Sequence, residues 1–306
     1  MLKERILSTL RFFDLQDWPP TLLELHTFLI ANINTLKSQL DERFEIVQDF
    51  LSDQNQTLPI DQLMRLLEVD CQPEVESFRG FYYLKGRKKI VEERLQNYLY
   101  GIKRERLITK FIGGLKHIPF VRGVALAGSQ AMGQQRKNSD IDLLIITDPN
   151  FLWLARFFVS AYFQISGKRR HGKIIANRFC LNHYLSKPKE VDQEKNLYKA
   201  MEYAKLRPLL YPQVITEFQN NNSKWIKMFF PNVEIQNSPV EPQTSIQRAL
   251  EFLFSNRFGF WLEKILKKWG QKRIKQGEYV FVTEEELSFH PDSKHGQLLD
   301  SFFKIQ

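Results

Sequence analysis

Residues 128–142 read GSQAMGQQRKNSDID: a Gly128-Ser129 pair, ten intervening residues, then Asp140 and Asp142 two apart at the head of the apolar run Ile141 to Thr147. Short apolar runs such as this one and Phe120 to Ala127, on the other side of the loop, suit buried strands. Residues i and i+2 of a strand project to one side of a sheet, so Asp140 and Asp142 aim both carboxylates at one point. Like charges that close raise one another's pKa unless a cation lies between them. Magnesium, which takes a few carboxylate oxygens together with water and substrate phosphate, fits a partly open strand end. The Gly128-Ser129 turn is the complementary half, since glycine allows close backbone approach and the amides opening a following helix point at anionic oxygens. Taken alone, that turn reads as an ordinary strand-to-helix turn with Ser129 as N-cap, and the aspartates as the polar start of a strand. The two together, at this spacing, point to phosphate and metal.

Outward from this stretch the pattern is mixed. Leu2 to Phe13 has helical apolar spacing, and Thr21 three residues ahead of Glu24 forms a capping box for a second helix expected through about Ile33. An amphipathic helix over Leu36 to Leu51 and a shorter one from Pro59 to near Leu67 follow. The aromatic, glycine-punctuated Phe78 to Arg87 reads as a β-hairpin or wing. Ile90 to about Lys116 is a basic bridging helix. Phe151 to Ile165 is a buried helix, and Phe179 to Leu185 a third strand. Helices are expected over Asn196 to Leu210, 214 to 230 and Ser245 to Lys275. A loop over Asn232 to Thr244, a small strand over Tyr279 to Val282 and a last helix complete the chain. The expected class is α+β, divided into a helical, winged-helix-like region at 1–117, a core at 118–190 and a mainly helical region at 191–306.

Hydrophobic residues make up 43% and charged residues 26%, the balance of a packed globular protein. Forty-four Lys and Arg against thirty-five Asp and Glu give a net charge of +9, which favours polyanionic partners without identifying one. The two cysteines, Cys71 and Cys180, lie far apart and outside any Cys/His ligand spacing, which points to neither a disulfide framework nor a zinc site and suits a reducing compartment. Charge interrupts the first eighteen residues every few positions, unlike a signal peptide, and no apolar run approaches the roughly 20 residues of a bilayer span. A cytoplasmic protein without a membrane partner is expected.

Leu126-Ala127-Gly128-Ser129, ten residues, then Asp140-Ile141-Asp142-Leu143 resembles the nucleotidyltransferase superfamily whose fold is typified by DNA polymerase β. The match covers about twenty residues and is far more specific than a lone glycine motif. FYYLKGR, SDIDLLIIT, FCLNHYL and NLYKAMEYAKLRPL further resemble a bacterial group, of unassigned substrate, that joins an N-terminal winged helix to this transferase domain. The resemblance implies a polymerase β-like core and metal-dependent transfer of a nucleoside monophosphate from a nucleoside triphosphate to an acceptor hydroxyl. It implies that Asp140 and Asp142 hold one or two Mg²⁺ ions and that Gly128 and Ser129 hold the β and γ phosphates. The acceptor, whether protein, RNA or small molecule, is not implied.

A third carboxylate on a neighbouring strand normally completes such sites, and Phe179 to Leu185 carries none. Asn182 is the residue expected nearest that position, and Glu202 on the next helix is a substitute. An amide orients but cannot act as a base, so the alternative is a catalytically impaired nucleotide-binding regulator whose winged helix binds DNA. The wing carries Arg79, Lys85, Arg87, Lys88 and Lys89, and DNA contact and protein contact are equal readings of it. Lys168, Arg169, Arg170 and Lys173 read as a solvated loop cluster, and His171 and His183 as structural. Trp261 to Lys275 reads as a core helix with a basic outer face, in preference to a membrane-surface or nucleic-acid-binding helix.

Overall fold

A computed structural model describes residues 2–37, 40, 57–172, 174–192, 194–274, 280–289 and 294–305. The expected helix over Leu36 to Leu51 falls largely outside the described residues, as do Lys173 and Tyr279. The chain opens with α1 (Leu2–Asp14), α2 (Leu22–Thr27), α3 (Ile33–Lys37) and α4 (Ile60–Val69), followed by the antiparallel pair β1 (Val75–Phe78) and β2 (Phe81–Leu84). The capping box forms: Thr21 Oγ1 accepts from the Glu24 amide, and Glu24 Oε2 accepts from the Thr21 amide. The helix it starts is short, because the chain leaves it at Phe28 to send Leu29, Ile30 and Ala31 into the core, where the Ala31 amide bonds Phe229 O at 2.9 Å.

The hairpin turns at Arg79-Gly80, both at positive φ, one strand earlier than the aromatic run alone suggests. Of its basic residues, Arg87 is bound by Asp14 and Asp17, and Lys89 lies 3.7 Å from Glu93. Arg79 and Lys88 sit over the Phe78 ring.

The long helix α5 (Lys89–Leu115) leads into β3 (Val121–Leu126), α6 (Gly128–Met132), β4 (Ile141–Thr147), α7 (Leu152–Ile165) and β5 (Phe179–Leu185). Then come α8 (Leu197–Ala204), β6 (Arg207–Leu210), α9 (Pro212–Phe229), α10 (Ser245–Phe254), α11 (Arg257–Arg273), β7 (Val280–Val282), β8 (Glu286–Phe289) and α12 (Lys294–Lys304). The sheet is six-stranded and mixed, in the order β6-β3-β4-β5-β8-β7, with β4 and β5 parallel and the other neighbours antiparallel.

Three elements differ from the sequence expectation. The helix expected to reach Leu210 stops at Ala204, and Arg207–Leu210 adds an edge strand, where Pro208 is tolerated because one side needs no amide donor. The helix expected over Ser245 to Lys275 is two, broken at Ser255-Asn256, where the Asn256 side chain caps α11 by accepting from the Phe258 and Gly259 amides. Trp261, Ile265 and Trp269 on α11 are exposed instead of core, while Gly259 and Gly270 are its buried residues.

Both faces of β4 are covered. Leu144 and Ile146 face a cluster built from α1, α2, α8, α9 and α12, while Leu143 and Ile145 face one built with α5 and α7. By the same alternation Asp142 belongs to the face of Leu144, beneath α8 and the N-terminal helices. Among the described residues no helix is long and apolar enough to cross a membrane.

Candidate active site

Asp142 is the second residue of β4 and Asp140 stands just before the strand, held there by its neighbours. The Ile141 amide donates to Arg178 O at 2.8 Å, and the Asn177 amide to Ser139 O at 3.2 Å. Arg104, buried on α5, donates from Nη2 to the carbonyls of Arg136 and Lys137 at 2.5 and 3.0 Å and from Nε to Asn177 Oδ1 at 2.9 Å. One guanidinium therefore ties the loop carrying Asp140 to the loop entering β5, a role that a single Arg in a basic helix does not announce in sequence.

The Gly128-Ser129 turn lies directly against the strand. Ala127 donates its amide to Asp142 O at 3.0 Å, and Gly128 opens α6 at φ +59. A Cβ built on Gly128 would lie 2.5 Å from Asp142 Oδ2, so the turn reaches this carboxylate only because residue 128 has no side chain. Ser129 lines a cleft of about 340 Å³ together with Trp18, Arg94, Arg136, Ser139 and Tyr198, between the N-terminal helices and α8.

The parallel register pairs Asp142 with Cys180 on β5, and a register shift follows before Leu144 pairs with His183. Ligating atoms of Asp140, Asp142 and Cys180 all lie within 4.8 Å of one another. Cys180 thus faces Asp142 across the strands, and Asn182, half-buried, lies two residues further along. Cys180 had no signal in the sequence beyond its place in an apolar strand.

Arg170 was expected in solvent. Instead its Nη1 donates to Asp140 Oδ2 at 2.6 Å and lies 3.5 Å from Cys180 Sγ, so a guanidinium stands where a cation would neutralise this carboxylate. Glu202 on α8 is buried and accepts from Lys199 Nζ at 2.9 Å, with Glu194 3.9 Å from the same ammonium. His183 is buried and bonded to Glu286 at 3.2 Å, a structural arrangement.

These neighbours set the proton affinities. Burial first, then the charges of Asp140 and Glu202, push the Asp142 carboxyl up to about 7, against the pull of the Cys180 thiol and Arg170. Burial and the two aspartates push the Cys180 thiol far above its ordinary value, so without a metal it stays a neutral thiol. Burial alone would lower Lys199, but Glu202, Tyr203 and Glu194 outweigh it and hold the ammonium well above its ordinary value.

A strand, a Gly-Ser turn in contact with it and an Asp-x-Asp pair at its head coincide with a family match. Residues 108–227 match the nucleotidyltransferase domain. No similar curated protein and no similar solved structure was found. The matched stretch runs from the last turns of α5 to α9, and the turn, the aspartates, Arg170, Cys180, Asn182 and Glu202 all lie inside it. Its donor set suits a hard divalent ion at the two carboxylates but not at the third position, where a neutral thiol is a poor ligand for magnesium.

Proposed function

We propose that the chain is a metal-dependent nucleotidyltransferase that moves a nucleoside monophosphate from a nucleoside triphosphate to an acceptor hydroxyl and releases pyrophosphate. The observation that carries this reading is the approach of the Gly128 turn to Asp142, which sets the turn's backbone beside the paired carboxylates. Asp140 and Asp142 would hold Mg²⁺, and Gly128 and Ser129 the β and γ phosphates. Bound there, the ion supplies charge neutralisation for an in-line displacement. Ser129 and Arg136, lining the adjoining cleft, are groups able to orient the triphosphate tail.

A second reading rests on two contacts. Cys180 opposite Asp142, and Arg170 on Asp140, leave β5 without a carboxylate to take the acceptor's proton and give one aspartate an internal cation. Glu202 is ion-paired by Lys199 and so poorly free to act as the base. In this reading the domain binds a nucleotide as a regulator, and α1 to β2 act as a DNA-binding winged helix. Both readings belong to a cytoplasmic setting, consistent with two buried free thiols.

Radiolabelled nucleoside triphosphates, Mg²⁺ and cell extract test the choice. Transfer of label that Asp140→Asn with Asp142→Asn abolishes supports the enzyme. Equal labelling by wild type and variant removes it, and Mg²⁺-dependent nucleotide retention without transfer supports the regulator.

A further inference from the structure

On the face of the sheet opposite Asp142, α7 and α11 form a solvent-open cavity of about 370 Å³. Close packing of the two helices builds it: a Cβ on Gly270 would lie 2.1 Å from the Trp153 ring, so α11 settles onto α7 only with glycine at that position. The walls include Trp153, Phe157 and Trp269, and the charged groups lining it are Arg156, Arg169 and Arg273. Among the described residues no carboxylate lines it. The single acidic residue of α11, Glu263, is turned away to accept the Trp153 and Leu154 amides at the start of α7.

Arg156 shows how unbalanced this cavity is. Its guanidinium lies 4.7 Å from the Phe289 ring centroid, 5.3 Å from Trp153 and 5.9 Å from Tyr184. Burial lowers its proton affinity, Tyr184 offsets part of this, and Arg169 lowers it further. Arg273 stacks on Trp269 at 3.8 Å. Of the three guanidinium groups only Arg156 is largely buried, and a buried cation without a counter-charge is costly, so an anionic ligand reaching it removes that cost.

We propose that this cavity binds a small phosphorylated compound with a flat aromatic body, of which a nucleoside monophosphate is the type. Three guanidinium groups supply forked donors that match phosphate oxygens, and guanidinium and indole planes stack on a planar ring. The volume falls at the small end of ligand pockets, roughly 300–1,000 Å³, which suits a mononucleotide better than a polymer. The site needs neither metal nor the aspartates of β4, so its fate is separable from that of the proposed transferase.

Trp153 and Trp269 are two of five tryptophans, so intrinsic fluorescence reports on the cavity. The full chain is titrated with adenosine monophosphate in the presence of EDTA. Saturable quenching is expected, competed by inorganic pyrophosphate and unchanged in Asp140→Asn with Asp142→Asn. Arg156→Gln and Arg169→Gln each weaken it at least about tenfold, the scale of one lost charge-assisted phosphate contact. Arg273→Gln, at the exposed end of α11, carries the same expectation if Arg156→Gln fails to fold. Absence of saturable quenching, loss of binding in the double aspartate variant, or tighter binding of oligothymidylate than of the mononucleotide each overturns the proposal.

Discussion

A Cβ on Gly128 would meet Asp142 Oδ2 at 2.5 Å, and Gly128 itself stands at φ +59. Turn and carboxylate are therefore one unit, so Gly128→Ala faces a steric and a backbone penalty together. Strained left-handed backbone costs on the order of 1–3 kcal/mol, and the methyl has to displace the carboxylate as well. Gly128→Ala is expected to lower the melting temperature and to abolish Mg²⁺-dependent nucleotide binding. Ser129→Ala, which keeps the backbone, should retain the fold and lose only part of the affinity. Calorimetric melts alongside nucleotide titrations separate the two, and a Gly128→Ala protein with native affinity would contradict the coupling.

The Asp142 carboxyl, pushed up to about 7 by burial, Asp140 and Glu202, fixes the sign of a pH effect. Because the fold raises this group above its unfolded value of about 3.9, its contribution to stability is complete below that value and is lost as pH rises through 7. Magnesium binds the ionised form, so its apparent affinity should improve about tenfold per pH unit below 7 and level off above it. Melts with and without Mg²⁺ at pH 6 and pH 8 check this: the metal-induced shift is expected to be larger at pH 8. In Asp142→Asn the shift should be small at both, and EDTA should cancel it in the wild type.

Arg170 donates to Asp140 at 2.6 Å, but its side chain is 42% exposed, so the pair is a modest competitor for the metal. Exposed ion pairs contribute about 0.2–1 kcal/mol, which corresponds to at most roughly fivefold in affinity. Arg170→Gln should therefore tighten Mg²⁺ binding a few-fold in the absence of nucleotide. If Arg170 instead belongs to the triphosphate contacts, nucleotide binding in Mg²⁺ weakens in the same variant. Metal titrations without and with nucleotide read both effects, and an unchanged Mg²⁺ affinity would show that the guanidinium does not compete.

Much of this arrangement was legible in the sequence and part of it was not, for reasons that differ by residue. The limits of β4 follow directly from a continuous apolar run, those of β5 from an apolar stretch that Asn182 and His183 interrupt, and the Thr21–Glu24 capping box follows from spacing. β6 and β8 are four residues each, too short to carry a period, and Arg207–Leu210 abuts a helix without a glycine or Asn-Gly signal between them. The site shows the same division. Asp140 and Asp142 are two apart on one strand, a local relation that sequence contains. The pairing of Cys180 with Asp142 depends on a parallel register with a shift in it, and the contact of Arg170 with Asp140 on a loop folding back. Neither relation has a sequence period. The outward turn of Trp261 and Trp269 was hidden because Gly259 and Gly270, which an apolar moment ignores, are the residues that pack.

Lys199 and Glu202 form the buried pair next to the site, with side chains 1% and 8% exposed and 2.9 Å apart. Removing one partner leaves the other charge stranded, which costs about 3–5 kcal/mol, whereas replacing both by apolar groups of similar volume is often neutral. Lys199→Met should therefore destabilise strongly in urea unfolding at pH 7, and Lys199→Met with Glu202→Leu should recover part of the loss, Glu194 still losing the ammonium 3.9 Å away. The same pair affects the site: Glu202 already raises Asp142, and Glu202 without the Lys199 ammonium would raise it further. At pH 7 the single variant should bind Mg²⁺ more weakly than wild type, and the double variant more tightly than the single one. If Glu202 were instead the acid that completes the metal site, the double variant would lose metal affinity outright, so the order of these affinities decides which part Glu202 plays.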